Sequence, residues 1–377
     1  YGGRMVSHSR FGTASWEIAG IPAERLGLPL NQGGEGLPER LDLISARTEF
    51  YDYPSALPTV ERSSIKLDLH RRDFTINTMA LRLDGRHYGN LYDYWGGLED
   101  LRRGIVRVLH SLSFVDDPTR MLRAVRFEQR FKFQIDPRTL ELMVEGEGLL
   151  RQVSGDRLRH ELNLILLEAD PLPALARLDA LNLLYYIQPG LTWQAEYTPG
   201  VKAALELETY PALPLPAGDS LADTRLGAAS LCWLACLPEG DGRAVVKRLK
   251  VAGSIKSAYL ALTKLEKDLP VLLDAAPSLV VRRLDPLPRL TLYAALCLHR
   301  EGPTAALLRR YLDHWKDTHP TVSGRDLLAR GLTPGPLFGQ LLTALRDAWL
   351  DGQITSKEGE TALLEKLIED AGLTEPE

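Results

Sequence analysis

The sequence predicts an α+β protein, with a small mixed head followed by a long, all-helical body. Up to about residue 109, short strand-like runs alternate with Gly-rich and Pro-rich turns. Beyond Asp116, nearly every segment has helical periodicity, and Pro and Gly recur in short connectors such as Asp170-Pro171-Leu172-Pro173. These two observations define the class and place the change of architecture near residue 110.

The head is predicted from short runs rich in apolar and β-branched residues. These strand-like runs lie at residues 5–9, 13–19, 40–46, 79–83 and 105–109. A Gly-rich stretch at residues 27–36 predicts a hairpin loop, and a Pro-rich stretch at residues 53–59 predicts a mobile crossing loop. The head is therefore expected to cover residues 1–109.

The remainder is predicted to be helical, without a strict internal repeat. The helices are expected at residues 118–131, 137–145, 155–168, 171–184, 219–237 and 244–269. We expect residues 110–190 to form a helical neck. Residues 191–377 are then expected to form a helical body and tail.

Composition limits the function classes. With 377 residues, the chain is long enough for two or three domains, and its net charge of −5 argues against a uniformly basic nucleic-acid binder. No apolar run approaches the length of a membrane span, and no signal peptide precedes the first strand-like run. Cys232, Cys236 and Cys297 are expected to be reduced core thiols in a cytoplasmic protein, with metal binding by the first two as the weaker alternative.

The stretch from Asp117 to Phe127 carries the strongest chemical signal. Asp117 followed by Pro118 is typical of a helix start, and the plain interpretation of Asp117 is a helix cap. However, residues 118–127 contain arginines and no acids. Asp117 and Arg120 lie three apart and should share one edge of the helix, where an acceptor beside a guanidinium can pair with a base edge. Arg123 and Arg126 follow Arg120 at the same three-residue spacing and could hold phosphates.

A second charged string precedes it. Arg71 and Arg72 followed by Asp73 are typical of a solvated corner, but Asn77 returns to the same side of a helical turn. An Asp and Asn pair could then contact ribose hydroxyls while an arginine reaches the phosphates. Between the two strings, Gly96-Gly97 predicts a tight turn, which we interpret as a hinge rather than a chemical group.

Three ordered motifs resemble those of bacterial tRNA nucleotidyltransferases (CCA-adding enzymes) and poly(A) polymerases, the class II members of the polymerase-β-like superfamily. The motifs are Arg71-Arg72-Asp73-Phe74-Thr75-Ile76-Asn77, Asp93-Tyr94-Trp95-Gly96-Gly97-Leu98-Glu99-Asp100-Leu101 and Asp116-Asp117-Pro118-Thr119-Arg120-Met121-Leu122-Arg123-Ala124-Val125-Arg126-Phe127. The resemblance covers roughly residues 1–170. It implies a polymerase-β-like head, CTP and ATP as substrates, Mg²⁺ as cofactor and the 3′ end of tRNA as partner. It also implies that the neck at residues 110–190 selects nucleotides and binds RNA, and that the body and tail at residues 191–377 bind tRNA.

The resemblance also implies roles for individual residues. Ribose and triphosphate would be held by Arg71, Arg72, Asp73 and Asn77. Asp117 and Arg120 would select the base, supported by Arg123 and Arg126, which also touch phosphate. The Asp93–Leu101 segment corresponds to the hinge, and residues 53–69 to an element that switches nucleotide preference. One departure is Asp116, where the family usually has Glu.

The metal-binding carboxylates expected of the family are incomplete in this sequence. The family carries an Asp-x-Asp pair after a Gly-Gly-x-x-Arg-Asp turn, whereas residues 1–41 contain no Asp. Asp42 corresponds to the third carboxylate and is the one catalytic and metal-ligand candidate. We expect the other two to precede Tyr1, so that this fragment binds nucleotides with little transfer. A catalytically dead nucleotide- or RNA-binding homologue and a poly(A) polymerase remain alternatives.

RNA contacts are expected in a basic part of the helical body. Positive residues outnumber acids between residues 243 and 283, most densely at Lys247-Arg248-Leu249-Lys250, with Lys256 beyond. A basic helix is often a solvated face, but the resemblance favours contact with the tRNA backbone. No His-Asp pair typical of a phosphohydrolase is apparent, and the oligomeric state is left open.

Overall fold

The computed structural model describes residues 2–8, 12–19, 21, 38–50, 59–251 and 253–370. The chain divides into two compact units, Tyr1–Val153 with Leu181–Tyr186, and Ser154–Ala180 with Ile187–Glu377. Strands are described in the first unit, and the second unit is built from helices, which confirms the α+β class. The division between the units falls inside the segment expected to be the neck, and the expected boundaries near residues 110 and 190 stay predictions.

In the part of the first unit that the structure describes, the strands are short and form four small groups. The strands are β1 (Arg4–His8), β2 (Thr13–Glu17), β3 (Arg40–Ile44), β4 (Arg47–Phe50), β5 (Thr59–Arg62), β6 (Ala80–Leu81), β7 (Leu91–Tyr92), β8 (Ile105–Val106) and β9 (Gln134–Ile135). β1, β2 and β3 form an antiparallel sheet, β4 pairs with β5 and β6 with β7 antiparallel, and β8 pairs with β9 in parallel. All five predicted runs contain strand, but β4, β5, β7 and β9 were not expected. The expected loop at residues 27–36 and residues 53–58 of the crossing loop lie outside the described residues.

The helices begin in the first unit and make up the second. They are α1 (Ile65–His70), α2 (Gly97–Arg103), α3 (Ser113–Asp116), α4 (Arg120–Phe131), α5 (Pro137–Gly146), α6 (Gly155–Leu166), α7 (Leu172–Ala180), α8 (Leu183–Ile187), α9 (Thr198–Leu205), α10 (Leu221–Cys236), α11 (Glu239–Arg248), α12 (Gly253–Leu272), α13 (Pro277–Leu284), α14 (Arg289–Leu298), α15 (Gly302–Arg310), α16 (Gly324–Ala329), α17 (Pro336–Leu350) and α18 (Lys357–Asp370). No described helix has both the length and the apolar character needed to cross a membrane.

Two predicted helices are each divided in the structure. The run at residues 171–184 is split into α7 and α8, because Asn182 adopts a left-handed backbone with φ of 60°. The run at residues 244–269 is likewise two helices, α11 and α12, and Lys250 between them has φ of 47°. The apolar residues keep helical spacing on both sides of each break. The pattern therefore does not show that one residue between the two helices has a left-handed backbone.

Helix α4 is central to the first unit because one of its faces is apolar. Met121, Leu122 and Val125 are fully buried, and so are Phe74 and Phe114 from neighbouring segments. Burying this face fixes how α4 is oriented within the unit. The arginines of α4 are thereby held at defined positions beside the segment that follows α1.

The core of the second unit contains two of the three cysteines. Cys232 on α10 and Cys297 on α14 are buried and Cys236 is half-buried, all as free thiols. The Cys232 thiol donates to the Ala294 carbonyl oxygen at 3.6 Å. The expectation of core thiols is confirmed for Cys232 and Cys297.

A smaller cluster near the end of the chain joins α16, α17 and α18. Its buried apolar members are Leu327, Leu332, Leu341, Leu345 and Leu364. The fully buried Glu360 carboxylate accepts hydrogen bonds from the Thr321 amide and hydroxyl, the Val322 amide and the Trp349 indole. This carboxylate fixes the loop before α16 to both later helices.

Candidate nucleotide site

Asp73 connects two of the charged strings. Its Oδ1 accepts from the Phe74 amide and from Asn77 Nδ2, both at 2.9 Å. Its Oδ2 accepts from Arg123 Nε at 2.9 Å and Nη2 at 2.6 Å. Asp73 is 9% exposed and the Arg123 side chain is 28% exposed, so this is a partly buried ion pair between residues that are 50 positions apart. The structure thus brings Asp73 and Asn77 together, as their spacing predicted, and adds an ion pair with Arg123 that was not expected.

Electrostatics keep Asp73 charged. Burial acts to raise the pKa of this carboxyl, but the Arg123 charge and the hydrogen bond from Asn77 outweigh it, and the pKa is lowered. Each of its oxygens already accepts hydrogen bonds within the protein. Asp73 is therefore placed to orient Asn77 and Arg123, and its contact with a ribose hydroxyl stays a prediction.

Arg120 connects the start of α4 to the segment after α1. Its Nη1 donates to Ser113 Oγ at 2.7 Å, and its Nη2 donates to the Arg71 carbonyl oxygen at 2.7 Å. The residue is 6% exposed. The guanidinium is thus immobilised by protein acceptors next to Arg71, which fits a residue that presents its remaining N–H groups in one fixed orientation.

Contrary to the sequence prediction, Asp117 does not lie beside Arg120 on one edge of a helix. It has extended backbone with φ of −144°, and α4 begins only at Arg120, so Asp117 and Arg120 do not share a helix edge. Asp117 Oδ1 accepts from the Thr119 amide at 3.0 Å and the Thr119 hydroxyl at 2.7 Å. The expected helix start at residue 118 is wrong by two residues, because Asp117 closes a turn ahead of the helix. A role for this pair in base selection stays a prediction.

Arg71 and Arg72 are positioned by Asp68, which sequence reasoning did not single out. Asp68 is 4% exposed and accepts from Arg71 Nη2 at 2.8 Å, from Arg72 Nη2 at 3.3 Å and from the Arg47 amide at 3.1 Å. The i, i+3 and i, i+4 spacings were the available signal. The side chain of Arg72 is 44% exposed and that of Arg71 is 21% exposed, so Arg72 is the cation better placed for a phosphate.

Arg126 lies deeper than expected. It is 7% exposed, and its guanidinium carbon is 5.4 Å from the centre of the Phe127 ring, as is that of Arg123. Such burial fits the expected supporting role of these two arginines. Direct contact between Arg126 and phosphate stays a prediction.

The Asp93–Leu101 segment is a rigid turn. Asp93 accepts from the Gly97 amide at 2.7 Å and the Leu98 amide at 2.9 Å, and Gly96 has φ of 73°. A Cβ on Gly97 would lie 2.2 Å from the Thr75 carbonyl oxygen. The structural turn is therefore confirmed, whereas its action as a hinge stays a prediction.

Asp42 lies on an edge strand in an exposed position. It accepts from the Ser15 hydroxyl at 2.6 Å and from Arg40 Nε at 3.2 Å, and its side chain is 46% exposed. Among the described residues, no group of three or more His, Cys, Asp or Glu could hold a metal ion. The surroundings of Asp42 in the described part of the chain therefore do not fit a Mg²⁺ site.

The expected RNA-binding cations are divided by the break between α11 and α12. Arg248 donates to the Ile187 carbonyl oxygen at 3.1 Å, and Lys250 pairs with Asp156 at 3.3 Å. Both therefore have contacts within the second unit. Lys247 and Lys256 are exposed and stay predictions as backbone contacts for RNA.

Comparison with known families gives two matches along the chain. A family model described as the poly A polymerase head domain matches residues 33–107. A second, described as a probable RNA and SrmB-binding site of polymerase A, matches residues 132–194. The first range includes Arg71, Arg72 and Asp73, whereas Asp117–Arg126 lies between the two ranges.

Two curated relatives match nearly the whole chain. An A-adding tRNA nucleotidyltransferase of Geobacter sulfurreducens is 33% identical, covering 98% of this chain and 41% of the relative. An A-adding tRNA nucleotidyltransferase of Halalkalibacterium halodurans is 32% identical, covering 95% of this chain and 77% of the relative. The chain thus spans about two fifths of the length of the first relative and about three quarters of the second.

Solved structures match at similar identity. A CCA-adding enzyme in an apo form has a TM-score of 0.73 and 32% identity, covering 97% of this chain and 82% of that one. The Thermotoga maritima CCA-adding enzyme complexed with tRNA has a TM-score of 0.66 and 30% identity, covering 98% and 81%. A complex of a CCA-adding enzyme with ATP has a TM-score of 0.70 and 31% identity, covering 100% and 82%.

Proposed function

Since the chain belongs to the family of class II tRNA nucleotidyltransferases and poly(A) polymerases, we propose that the whole protein adds C, A or both to the 3′ end of tRNA. The substrates would be CTP and ATP, and the place of action the cytoplasm. The first unit then supplies the groups that hold and select the nucleotide. The second unit contributes to binding of the tRNA.

One observation carries this proposal. The contacts from Arg123 to Asp73 and from Arg120 to the Arg71 carbonyl join two charged strings into a single, partly buried polar arrangement, in which Asp73 and Arg120 are the buried members. Buried charged groups are costly unless they are paired and used, and such arrangements are concentrated at functional sites. The relatives with bound tRNA and ATP support the same assignment.

The proposed reaction joins the RNA 3′-hydroxyl oxygen to the α-phosphorus of the nucleotide and releases pyrophosphate. The described residues contribute binding and orientation to this step. Arg72 offers N–H groups to the triphosphate, and Asp73 with Asn77 contacts the ribose. Asp117 and Arg120 present an acceptor and a donor to the base edge, which would distinguish bases by their hydrogen-bonding pattern.

Mg²⁺ belongs to the proposal for the whole protein, because divalent cations support attack on phosphorus and neutralise the leaving group. Asp42 was the candidate metal ligand and catalytic carboxylate, but among the described residues its surroundings do not fit a Mg²⁺ site, and Asp42 takes no part in the proposed step.

Addition of A is the more specific hypothesis. The relatives from Geobacter sulfurreducens and Halalkalibacterium halodurans, which match 98% and 95% of this chain, are both named A-adding tRNA nucleotidyltransferases. Hence we expect ATP to bind more tightly than CTP. A poly(A) polymerase and a non-catalytic nucleotide- or RNA-binding homologue are the alternatives, and the former would also prefer ATP.

The first prediction concerns Arg120. Replacing it in Arg120→Ala should reduce the preference for ATP over GTP and UTP to within about 2-fold, because losing one hydrogen-bonded charged donor costs about 1.5–3 kcal/mol. Isothermal titration calorimetry with each of the four nucleoside triphosphates measures this preference. Binding of all four with equal affinity by the unaltered protein would refute the proposed site.

Because Arg120 also holds Ser113 and the Arg71 carbonyl, two further variants are needed. Asp117→Asn keeps the size of the side chain and changes its hydrogen-bonding pattern, so it should alter the ranking of the nucleotides. Arg138→Ala removes an exposed arginine that pairs with Glu141 and should leave the preference unchanged. A folded Arg120→Ala protein with an unchanged preference contradicts the selecting role.

A further inference from the structure

Five rings of the first unit contact one another in sequence. The centroid of Tyr92 is 5.8 Å from that of Tyr94, which is 5.5 Å from that of Trp95. The Trp95 ring is 5.3 Å from the His70 ring, and His70 stacks on His110 at 5.4 Å with an interplanar angle of 23°. We call these residues the ring cluster. It joins β7, the Asp93 turn, the end of α1 and the segment before α3.

The ring cluster adjoins the candidate nucleotide site. His70 directly precedes Arg71, the residue whose carbonyl accepts from Arg120. At the same end of the cluster, His110 Nε2 is 3.7 Å from Asp116 Oδ2, next to Asp117. The cluster thus begins beside the residues proposed to select the base and extends away from them.

Part of the ring cluster is open to solvent. Tyr94 is 44% exposed and His70 is exposed, although aromatic side chains usually bury most of their surface. Lys66 Nζ lies 5.4 Å from the centre of the Tyr94 ring and adds a positive charge at the open end. Asp93 fixes the loop that carries Tyr94 through its hydrogen bonds to Gly97 and Leu98. The exposed rings are therefore held in place before any ligand arrives.

We propose that the ring cluster binds the single-stranded 3′-terminal nucleotides of the RNA acceptor by stacking, a proposal that rests on the proposed function. Exposed aromatic faces next to a cation are the usual platform for single-stranded nucleic acid. One incoming nucleotide carries one base and cannot cover rings that extend from His110 to Tyr92. Successive bases of an RNA end can stack on Tyr94 and His70, while Lys66 approaches a phosphate.

The test uses the 377-residue chain and a tRNA transcript whose 3′-terminal base is a fluorescent adenine analogue. Stacking quenches the analogue, so binding of the unaltered protein should lower its emission. Tyr94→Ala should weaken RNA binding by about 5- to 150-fold, the range for loss of one base–aromatic stack, and should restore the emission. Tyr94→Phe keeps the ring and should bind and quench like the unaltered protein.

A matched control and a separate readout distinguish this proposal from the proposed function. Tyr88 is 72% exposed and lies outside the ring cluster, so Tyr88→Ala should bind RNA normally. ATP affinity, measured by calorimetry, should be the same in all three variants. If Tyr94→Ala binds RNA with unchanged affinity and quenching while ATP binds normally, the stacking proposal is wrong and the proposed function stands. If the unaltered protein binds no nucleotide, the proposed function itself fails.

Discussion

Asp68 illustrates what a single side chain does for the candidate site. It is buried, contributes no expected contact to a nucleotide, and yet accepts from both Arg71 and Arg72. Burial acts to raise its pKa, but the hydrogen bond from Arg71 and that from the Arg47 amide outweigh it, and the pKa is lowered. A charged Asp68 therefore holds two arginines in place before the triphosphate arrives, which reduces the entropy lost on binding.

Asp68→Asn should weaken ATP binding by about 10-fold and lower the free energy of unfolding by about 1–3 kcal/mol, because a charged acceptor becomes partly unsatisfied. Calorimetry and urea denaturation measure the two effects. Asp84→Asn is the matched control, since Asp84 pairs with Arg82 at an exposed position. Equal ATP affinity in the Asp68 and Asp84 variants would show that Asp68 does not position the site.

Which residues meet at the site could be predicted only in part. Asp73 and Asn77 were expected together because they lie four residues apart, whereas the ion pair between Asp73 and Arg123 was not expected. Sequence spacing could not show that Asp117 would bind Thr119, or that Arg120 would donate to the Arg71 carbonyl. The first contact belongs to a local turn that replaced the expected first turn of the helix, whereas the second depends on how α4 packs against a segment about 50 residues away, which no local pattern encodes.

Among the secondary-structure elements, α2 depends on a close backbone approach. Gly97 opens this helix directly against the Thr75 carbonyl, and Asp100 on the same helix accepts from the Thr75 hydroxyl at 2.7 Å. Arg107 also donates to Asp100, at 3.0 Å, and pairs with Asp136. The helix thereby fixes the turn between Asp73 and Asn77.

Gly97→Ala should lower the free energy of unfolding by about 1–3 kcal/mol, the usual cost of inserting a methyl group into a packed site. ATP affinity should also fall, because the turn that carries Asn77 must shift. Gly148→Ala provides the comparison, since a Cβ there meets no atom within 4 Å. Thermal and urea unfolding of both variants measure this difference in stability. Equal stabilities would argue against a close approach between Gly97 and the Thr75 carbonyl.

The type of a secondary-structure element could be predicted where its apolar pattern extends over many residues. The residues at which elements begin and end could not. The apolar face of α4 repeats at helical spacing, so its existence and buried side followed from the sequence. Strands β4 and β5 are short and flank residues outside the described part of the chain, and were not expected. The breaks at Asn182 and Lys250 each depend on one backbone angle.

At the scale of the whole molecule, both units contain buried carboxylates that remain charged. In the second unit, burial acts to raise the pKa of Glu360, but hydrogen bonds from Thr321 and Val322 outweigh it and the pKa is lowered. In the first unit, Asp68 and Asp73 also have lowered pKa values. A carboxyl whose pKa is lower when folded stabilises the protein above its unfolded pKa, and this contribution is lost as pH falls through the folded pKa.

The free energy of unfolding should therefore fall as the pH drops below about 4.5, near the pKa of unfolded carboxyl groups. Glu360→Gln should destabilise the protein by about 2 kcal/mol at pH 7, because the amide nitrogen that replaces one oxygen cannot accept hydrogen bonds. Its stability should depend less steeply on pH in the acid range. Urea denaturation between about pH 3 and pH 7 tests both expectations, and parallel curves for the two proteins would contradict the role of Glu360.

The ion pair between Asp73 and Arg123 has a consequence for how the protein is made. The two residues are 50 positions apart, and the chain is synthesised from its amino terminus. During translation, Asp73 leaves the ribosome first and has no Arg123 to neutralise it until α4 has also emerged. The candidate nucleotide site can therefore be completed only at a late stage of synthesis of the first unit. A nascent chain that stops before α4 would carry the first charged string but not the site.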